Sequence, residues 1–230
     1  MAKCQGIEIM KQLAREAKHY SFLFHQGGIK KILDHAKENL FYDVKYGTDT
    51  SSWLEKYDFQ NIPNLEHGVR YRASATSEAR YGLNQASKYI NLKDANFYDL
   101  GCGKGKVLCI ASLCYDFKKI IGIDYYKPLL DHAANNLRHF RINDTVELHN
   151  MDMSLFTDYS PETVIYLYNP ANDIILEKVR DNLEKATSRT VVIYNKPIHK
   201  SVFKNWKLVA QKREKDPDHN TSIFLFDKEK

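Results

Sequence analysis

The feature that most constrains the fold is the heptapeptide Asp-Leu-Gly-Cys-Gly-Lys-Gly, which occupies residues 99–105. Three glycines in five positions are costly, because glycine loses more conformational freedom on folding than any other residue. The heptapeptide follows a short strand-like run and precedes a helical pattern. Glycine at such a junction permits a positive φ angle and lets a ligand reach the N–H groups at the start of the helix. The heptapeptide therefore predicts a nucleotide-binding turn, with a tight turn that binds nothing as the alternative.

Strand and helix patterns alternate along the chain from residue 96 onward. Short runs of β-branched and aromatic residues predict strands, and apolar residues at helical spacing between them predict helices. The predicted strands cover residues 96–100, 118–124, 146–151, 163–169 and 189–195, and the predicted helices cover 104–115, 127–140 and 172–186. This alternation is typical of parallel strands joined by crossover helices, and hence of a doubly wound sheet.

The C-terminal part of the chain departs from this alternation. Two more strand patterns, at 206–214 and 222–228, flank the turn-rich segment Asp-Pro-Asp-His-Asn-Thr. This arrangement predicts an antiparallel hairpin at the edge of the sheet. The complete prediction is an α/β fold with a doubly wound, mostly parallel sheet of seven strands, an antiparallel C-terminal hairpin and a helical N-terminal extension.

The first 70 residues carry a different pattern from the rest. Apolar residues recur at helical spacing in two stretches, and an aromatic, polar and irregular stretch follows them. We therefore expect residues 1–70 to form a helical extension with a loop that covers the ligand-binding edge of the sheet. Residues 71–230 would then form the nucleotide-binding domain. With 230 residues, of which 43% are hydrophobic, the chain can bury one sizeable core.

The spacing of the glycines distinguishes among nucleotide ligands. The dinucleotide fingerprint is Gly-x-Gly-x-x-Gly, and here the third glycine, Gly105, comes one residue early. A P-loop, which requires Gly-Lys-Ser/Thr, is disfavoured because Val107 follows Gly105 and Lys106. Asp99 places a carboxylate before the first glycine, where it would repel a pyrophosphate and suit a ligand with a cationic amine. The predicted ligand therefore carries positive charge near the turn and an adenosine farther out.

The heptapeptide resembles motif I of class I S-adenosylmethionine-dependent methyltransferases, in which an acidic residue precedes Gly-x-Gly-x-Gly. Further landmarks of that family follow in order at the ends of the second, third and fourth predicted strands. The resemblance covers about residues 71–228 and implies a Rossmann-like methyltransferase fold with S-adenosyl-L-methionine as the cofactor. The cofactor-binding residues that it implies are Asp99, Gly101, Cys102, Gly103, Gly105, Asp124, Tyr125, Asp152, Met153 and Tyr71.

The resemblance implies which part of the cofactor three of these residues contact. Asp124 would bind both ribose hydroxyls, Asp152 would meet the adenine amino group, and the backbone of Met153 would contact the ring edge. Each aspartate also has a structural alternative, because Asp124 can cap the helix that follows it and Asp152 can hold its own turn. Tyr125 either stacks on the adenosine or only packs, and Tyr166 is expected to fill the core.

The fourth predicted strand ends at Asn169 and Pro170, the position that faces the methyl acceptor in this family. In members that methylate nitrogen, an Asn/Asp-Pro-Pro-aromatic tetrad accepts hydrogen bonds from the target amine and orients its lone pair. Only the first proline is present here, because Ala171 and Asn172 follow. The resemblance predicts Asn169 and Tyr168 as catalytic residues and an amine of a small molecule or protein as the acceptor. The alternative for Asn169 is a cap of the next helix.

The charge of the chain bears on its partners. A net charge of +5 is too small to demand an anionic partner, but residues 189–215 contain eight lysines and arginines against one acidic residue. That stretch is compatible with either of two interpretations, a solvated face or a surface that binds nucleic acid. No stretch approaches the length of a membrane span, the first 20 residues lack a secretory-signal pattern, and the four cysteines fit no metal-binding spacing. We expect a cytoplasmic protein that contacts no membrane and holds no metal ion.

Two other functions compete with methyl transfer. A nicotinamide-dependent oxidoreductase shares the doubly wound sheet, but the displaced third glycine and the terminal hairpin argue against it. A non-catalytic module that binds nucleic acid or protein is favoured by the basic stretch 189–215 and by the incomplete Asn-Pro tetrad. Salt-dependent RNA binding without methyl transfer would support the second alternative.

Overall fold

The structure, a computed structural model, describes residues 46–50, 71–215 and 220–228, together with isolated residues between 21 and 43. The described residues contain the seven predicted strands, which are β1 (Asn96–Leu100), β2 (Lys119–Asp124), β3 (Val146–Asn150), β4 (Glu162–Tyr168), β5 (Arg189–Asn195), β6 (Lys207–Lys212) and β7 (Thr221–Asp227). They form one sheet in the order β3–β2–β1–β4–β5–β7–β6. Most of the predicted extension over residues 1–70 lies outside the described residues, so the domain boundary near residue 70 stays a prediction.

Strands β1 to β5 pair in parallel, and β7 pairs antiparallel with both β5 and β6. The predicted doubly wound sheet with an antiparallel hairpin at its edge is therefore confirmed, and every predicted strand and helix boundary lies within two residues of the observed one. Strand order reverses between β1 and β4, which are neighbours in the sheet although β2 and β3 lie between them in the chain. In an open parallel sheet, ligands bind at the carboxyl ends of the strands beside such a reversal.

The helices cover both faces of the sheet. They are α1 (Thr76–Ala86), α2 (Lys106–Cys114), α3 (Lys127–His139) and α4 (Asp173–Ala186). Residues that follow each other in a strand enter different cores, because strand side chains alternate between faces. Phe97 of β1 packs in the core with α1, α2 and α3, whereas its neighbour Tyr98 packs in the core with α4. The result is three layers, with the sheet in the middle.

Helix α1 is an element that the sequence patterns did not predict. It has no side-chain cap at its N-terminus, and its buried face includes Glu78 and Gly82 beside three apolar residues. Gly82 lets the helix approach β5 closely, since a Cβ atom at that position would lie 2.3 Å from Cγ2 of Ile193. A small, partly polar helix face gives little apolar periodicity, which explains why the pattern was missed.

Among the residues that the structure describes, no helix is both long and apolar enough to cross a membrane.

Candidate functional site

A cleft opens at the carboxyl ends of β1, β2 and β4, beside the reversal of strand order. Elements that are far apart in the chain meet there because parallel strands present all their carboxyl ends at one edge of the sheet. Nine of the twelve residues predicted for the site line this cleft. They are Tyr71, Asp99, Gly101, Cys102, Asp124, Tyr125, Met153, Tyr168 and Asn169. The other three, Gly103, Gly105 and Asp152, lie next to lining residues but do not themselves face the cleft.

The turn between β1 and α2 requires glycine at positions 101 and 103, both for the backbone conformation and because a side chain would not fit. Gly101 and Gly103 have φ angles of 80° and 52°, in the left-handed region that other residues rarely adopt. A Cβ atom on Gly101 would lie 2.8 Å from Cβ of Pro170, and one on Gly103 would lie 2.3 Å from the ring of Tyr71. The N–H of Gly101 also donates to the carbonyl oxygen of Ile123 at 2.8 Å, which ties the turn to the end of β2. The turn is therefore fixed between two walls of the cleft.

Asp124, at the end of β2, holds this turn with its side chain. One carboxylate oxygen accepts a hydrogen bond from the N–H of Gly103 and the other accepts one from the N–H of Tyr126, both at 2.9 Å. Burial raises the pKa of Asp124 to about 6, although these two N–H groups act in the opposite direction. Tyr126 is the N-cap residue of helix α3, which begins at Lys127, so the carboxylate of Asp124 anchors the backbone at the start of this helix without being its N-cap residue. A carboxylate has about four acceptor positions, so Asp124 keeps acceptor capacity for a ligand in the cleft.

Asp99 is the second carboxylate of the cleft. It lies at the end of β1 with only 4% of its surface exposed. Burial raises the pKa of Asp99 well above its usual value, and the negative charge of Asp124 raises it further. Its carboxylate accepts no hydrogen bond from any residue in the described part of the chain. A buried carboxylate is stable only when it is paired, protonated or bound to a cation. This pair of acids therefore favours a positively charged ligand.

Tyrosine side chains form much of the remaining wall. Tyr71 packs against Gly103 and donates its hydroxyl to the carbonyl oxygen of Thr50 at 2.9 Å. Tyr125 is half-buried, and its burial raises the pKa of its hydroxyl. Tyr166 is fully buried in the α1–α3 core, as expected, although its side chain also reaches the cleft. Tyr168 lines the cleft at the end of β4 and is partly exposed.

Asp152 has a structural role in the structure. Its carboxylate accepts a hydrogen bond from the N–H of Ser154 at 2.8 Å and caps the short 3₁₀ helix Met153–Leu155. Capping orients the first residue of that helix, Met153, which lines the cleft. The adenine contact of Asp152 stays a prediction. Its capping hydrogen bond holds Met153, the residue predicted to contact the edge of the adenine ring, at the wall of the cleft.

Asn169 follows β4 in a strained conformation, with a φ angle of 41°. Such left-handed residues other than glycine are uncommon, and they persist where the surrounding structure holds them. Asn169 is buried, and its side-chain oxygen accepts a long hydrogen bond of 3.4 Å from the hydroxyl of Tyr194. The cap of α4 is Asn172, whose side-chain oxygen accepts from the N–H of Ile175. The alternative role of Asn169 as that cap is therefore wrong.

A segment of the predicted N-terminal extension contacts the glycine turn through Asp49, a residue that the sequence patterns did not single out. Oδ2 of Asp49 lies 2.7 Å from Nζ of Lys104, in the middle of the glycine turn. The backbone N–H of Asp49 donates to the side-chain oxygen of Asn136 in α3 at 2.9 Å, and the side-chain nitrogen of Asn136 donates to the carbonyl oxygen of Asp49 at 3.0 Å. Lys104 and Asp49 are 55 residues apart in the chain, so no local pattern connects them. Arg72 and Lys106 also line the cleft without having been predicted.

The basic stretch 189–215 does not form one continuous face. It runs from β5 in the middle of the sheet, through a short 3₁₀ helix, to the edge strand β6. Arg189 lies 3.5 Å from Asp227, and Lys212 lies 2.9 Å from Glu214, so at least two of the eight cations have acidic partners among the described residues. Lys200, at the start of the 3₁₀ helix after β5, and Lys204, directly after that helix, are exposed on the same edge of the sheet as the cleft.

Comparisons with known proteins place this site in context. The family model described as ribosomal protein L11 methyltransferase (PrmA) matches residues 79–193, which are half of the chain. A carboxy-S-adenosyl-L-methionine synthase from Idiomarina loihiensis is 29% identical over 144 residues, which are 61% of this chain and 54% of that protein. The chain thus spans about half the length of this curated relative.

Solved structures show the same architecture. An RNA methyltransferase from Salinibacter ruber, in complex with S-adenosyl-L-homocysteine, has a TM-score of 0.51 at 16% identity over 66% of this chain and 91% of that protein. A putative RNA methyltransferase from Pyrococcus horikoshii has a TM-score of 0.54 at 16% identity over 81% of this chain and 96% of that protein. At these identities the likeness concerns the fold, and it confirms the predicted Rossmann-like methyltransferase architecture.

Proposed function

Because the chain belongs to the ribosomal protein L11 methyltransferase (PrmA) family, we propose that its cleft binds S-adenosyl-L-methionine and that it methylates an amine nitrogen beside Asn169. The family match confirms the predicted class, a class I S-adenosylmethionine-dependent methyltransferase, and with it the predicted cofactor. The acceptor and the roles of individual residues are the proposed part.

The single observation that carries the proposal is the pair of buried acids, Asp99 and Asp124, in one cleft. Two like charges in a low-dielectric site repel each other, and both carboxyl groups have raised pKa values. A ligand that brings positive charge and hydroxyl donors would relieve this repulsion, whereas a pyrophosphate would worsen it. S-adenosyl-L-methionine brings a cationic amine, a cationic sulfur and two ribose hydroxyls, and no phosphate.

In this proposal, different residues of the cleft contact different parts of the cofactor. Asp124 accepts hydrogen bonds from the ribose hydroxyls with the acceptor capacity that its backbone partners leave. Asp99 lies next to the amino-acid tail, and the bare backbone of Gly101 lines the cleft beside it. Met153 contacts the edge of the adenine. The glycine turn therefore acts as a cradle, while the two acids provide the charge.

Methyl transfer needs little chemical assistance from the protein, so alignment is the main task. When bound, the cofactor supplies a methyl group activated by the positive sulfur, and the C–S electron pair stays on sulfur as the new C–N bond forms. Asn169 accepts a hydrogen bond from the acceptor amine and directs its lone pair, and Tyr168 forms the wall beside it. Positioning of this type contributes up to about 7–11 kcal/mol in model systems. A lysine acceptor must lose a proton before it reacts, and an amine that binds in its neutral form needs no base.

An amine on a small molecule or a protein is the acceptor that we favour. Asn169 is buried, with 6% of its surface exposed, so the acceptor must reach into the cleft rather than lie across its rim. A small molecule or an extended side chain can do so. A nucleic acid is the competing acceptor, and the exposed Lys200 and Lys204 near this edge would then contact phosphates.

The test begins with binding and ends with the acceptor. Calorimetry of the wild-type protein with S-adenosyl-L-homocysteine and with NAD should show binding of the first ligand only. Incubation with tritiated S-adenosyl-L-methionine and separated cell-extract fractions should then label a small-molecule or protein fraction. Label that appears in the RNA fraction, and disappears with added salt, would move the acceptor to nucleic acid.

Asn169 provides a sharper test, because Asn172 three residues later is a matched control. Asn169→Ala should leave the affinity for S-adenosyl-L-homocysteine within about threefold and lower methyl transfer by at least about tenfold, since one orienting hydrogen bond contributes roughly 1.4 kcal/mol or more. Asn172→Ala should lower the free energy of unfolding by about 1 kcal/mol through the lost helix cap, with methyl transfer unchanged. Equal loss of binding and transfer in Asn169→Ala would contradict the acceptor role.

A further inference from the structure

The side chain of Asn169 is held by a tyrosine that lies outside the wall of the cleft. Tyr194 of β5 is fully buried and pairs with Leu167 of β4, two residues before Asn169. Its hydroxyl oxygen lies 3.4 Å from Oδ1 of Asn169 and 3.3 Å from the backbone nitrogen of His199. The cleft residue next to the proposed acceptor therefore has a buried hydroxyl group on its far side.

The two hydrogen bonds of the Tyr194 hydroxyl follow one direction. The backbone N–H of His199 can only donate, so the hydroxyl oxygen of Tyr194 is its acceptor. The hydroxyl has one proton of its own, and Oδ1 of Asn169 accepts it. The order of donors and acceptors thus begins at a backbone group, whose role cannot be reversed, and ends at the amide of Asn169.

This order determines which side of the Asn169 amide carries the oxygen. An amide oxygen accepts hydrogen bonds, whereas the amide nitrogen donates them. If the amide turned over, its NH2 group would meet a hydroxyl that already accepts from His199, and the hydroxyl proton of Tyr194 would lose its acceptor. A buried donor without a partner is costly. Tyr194 therefore holds Oδ1 of Asn169 in place and leaves the second acceptor position of that oxygen for a ligand.

The turn after β5 keeps the N–H of His199 in position. Lys196 starts this turn in the left-handed region, with a φ angle of 49°. Its N–H donates to the carbonyl oxygen of Asn220 at 2.8 Å, and its carbonyl oxygen accepts from the N–H of Ile198 at 2.8 Å. Residues in such a conformation persist where the surrounding structure holds them. The turn thereby directs the chain back so that the N–H of His199 reaches the hydroxyl of Tyr194.

We propose that Tyr194 is a positioning residue for methyl transfer, which donates a hydrogen bond to Oδ1 of Asn169 and so holds that oxygen ready for the acceptor amine. The inference rests on the proposed function, because Tyr194 acts only through Asn169. Burial raises the pKa of Tyr194 to about 12, although the N–H of His199 acts in the opposite direction. The hydroxyl therefore keeps its proton and serves as a donor rather than as a base. Its hydrogen bond to Asn169 is long, and such bonds often shorten when the substrate binds.

Tyr194→Phe tests this role, because it removes the hydroxyl and keeps the ring. Rates of methyl transfer are measured at saturating S-adenosyl-L-methionine, with the cell-extract fraction that the wild type labels as the acceptor. Tyr194→Phe should lower the rate about fivefold, less than Asn169→Ala does, because an amide that can turn still presents its oxygen part of the time. The affinity for S-adenosyl-L-homocysteine should stay within about twofold of the wild-type value, since Tyr194 does not line the cleft.

Tyr98→Phe is the matched control. Tyr98 is buried in the same core as Tyr194, and its hydroxyl also accepts a backbone N–H, that of Ser160 at 3.0 Å. It donates to the carbonyl oxygen of Asp158 at 3.3 Å and does not line the cleft. Tyr98→Phe should therefore lose stability in urea unfolding, as Tyr194→Phe does, and keep the wild-type rate of methyl transfer. The same loss of rate in both variants would overturn the inference.

A double-mutant cycle with Asn169→Ala separates a positioning role from a structural one. Because Tyr194 acts through Asn169, Tyr194→Phe should leave the rate of the Asn169→Ala variant unchanged. A fall by the same factor in both backgrounds, or an unchanged rate in Tyr194→Phe alone, overturns the inference while the proposed function stands. Tyr194→Met removes the same hydroxyl and takes the place of Tyr194→Phe if that variant fails to fold. A wild-type rate in Asn169→Ala overturns the proposed function itself, and the inference with it.

Discussion

Two groups of buried polar side chains lie on either side of β4, and they differ in charge and in hydrogen bonding. On the side of β5 and β7, the amide of Asn195 donates to the hydroxyl of Tyr166 and accepts the hydroxyl of Thr221 at 2.7 Å. On the side of β1 and β2, Asp99 and Asp124 are two acids in one cleft. The first group is neutral and its members satisfy one another, whereas the second group holds two like charges.

The difference separates stability from function. Neutral groups that exchange hydrogen bonds in the core cost little and fix the register of the strands that carry them. Buried like charges cost free energy, so a protein keeps them where a ligand compensates for that cost. The two groups therefore predict opposite responses to mutation, and three experiments test this contrast.

The largest expected effect is on ligand binding at the charged group. Asp124→Ala should weaken the binding of S-adenosyl-L-homocysteine by about 3 kcal/mol, or roughly a hundredfold, because two ribose hydroxyls lose a charged acceptor. Calorimetry provides the measurement, and Asp116→Ala, which removes an exposed acid of a surface ion pair, is the control. Unchanged affinity in Asp124→Ala would remove the ribose role and with it the contrast between the two groups.

The neutral group should show the reverse behaviour. Asn195→Ala removes one of the partners of the Tyr166 hydroxyl and the acceptor of the Thr221 hydroxyl, so the free energy of unfolding should fall by about 2 kcal/mol. Affinity for S-adenosyl-L-homocysteine should stay within about threefold of the wild-type value, since Asn195 does not line the cleft. Urea unfolding and calorimetry on the same preparations measure the two quantities. A large loss of affinity with stability retained would show that Asn195 belongs to the ligand site, and the contrast between the two groups would fail.

The smallest expected effect is a dependence of stability on pH. Burial raises the pKa of Asp124 from 3.8 to about 6, so between these values the folded protein binds more protons than the unfolded chain. This part of the stability of the unliganded protein is present below pH 4 and is lost as the pH rises through 6. Asp124→Asn removes the titration, and it should gain about 1–2 kcal/mol over the wild type across that window, after allowance for a weaker acceptor.

Unfolding of the wild type and Asp124→Asn at several pH values between 4 and 8 measures this difference. The advantage of the variant should be near zero at the acidic end and level off above pH 7. An advantage that is constant with pH would mean that Asp124 does not titrate in this range, and that the cleft holds less electrostatic strain than the burial of its acids indicates.

The sheet was predictable because its determinants are local. Runs of apolar β-branched residues and the helical periods between them lie within single elements, and the parallel order follows from their alternation. Helix α1 was not, because Glu78 and Gly82 interrupt its apolar face. Its position is decided by the close approach of Gly82 to Ile193, a contact between elements more than a hundred residues apart.

The site was predictable to the extent that glycines and strand-end acids mark it. Asp99, Asp124 and Asn169 follow strands, and the strand ends of a parallel sheet converge. Local hydrogen bonds were harder to assign, since Asn169 and Asn172 are alike in the sequence and only one caps α4. The pairing of Asp49 with Lys104 required the folded chain, because a segment of irregular sequence returns to the turn through contacts with Asn136.

The insertion of β7 between β5 and β6 has a consequence for synthesis of the chain. Strand β6 leaves the ribosome before β7, and within the described residues its strand partner is β7. Until residues 221–227 emerge, β5 also presents an open edge to solvent or to other nascent chains. The cleft between β1 and β4 can assemble earlier, while the far side of the sheet waits for the last strand. Translation that stops before residue 221 should therefore release a protein with a formed ligand cleft and with unpaired edges on β5 and β6. We expect chaperones to bind such a protein.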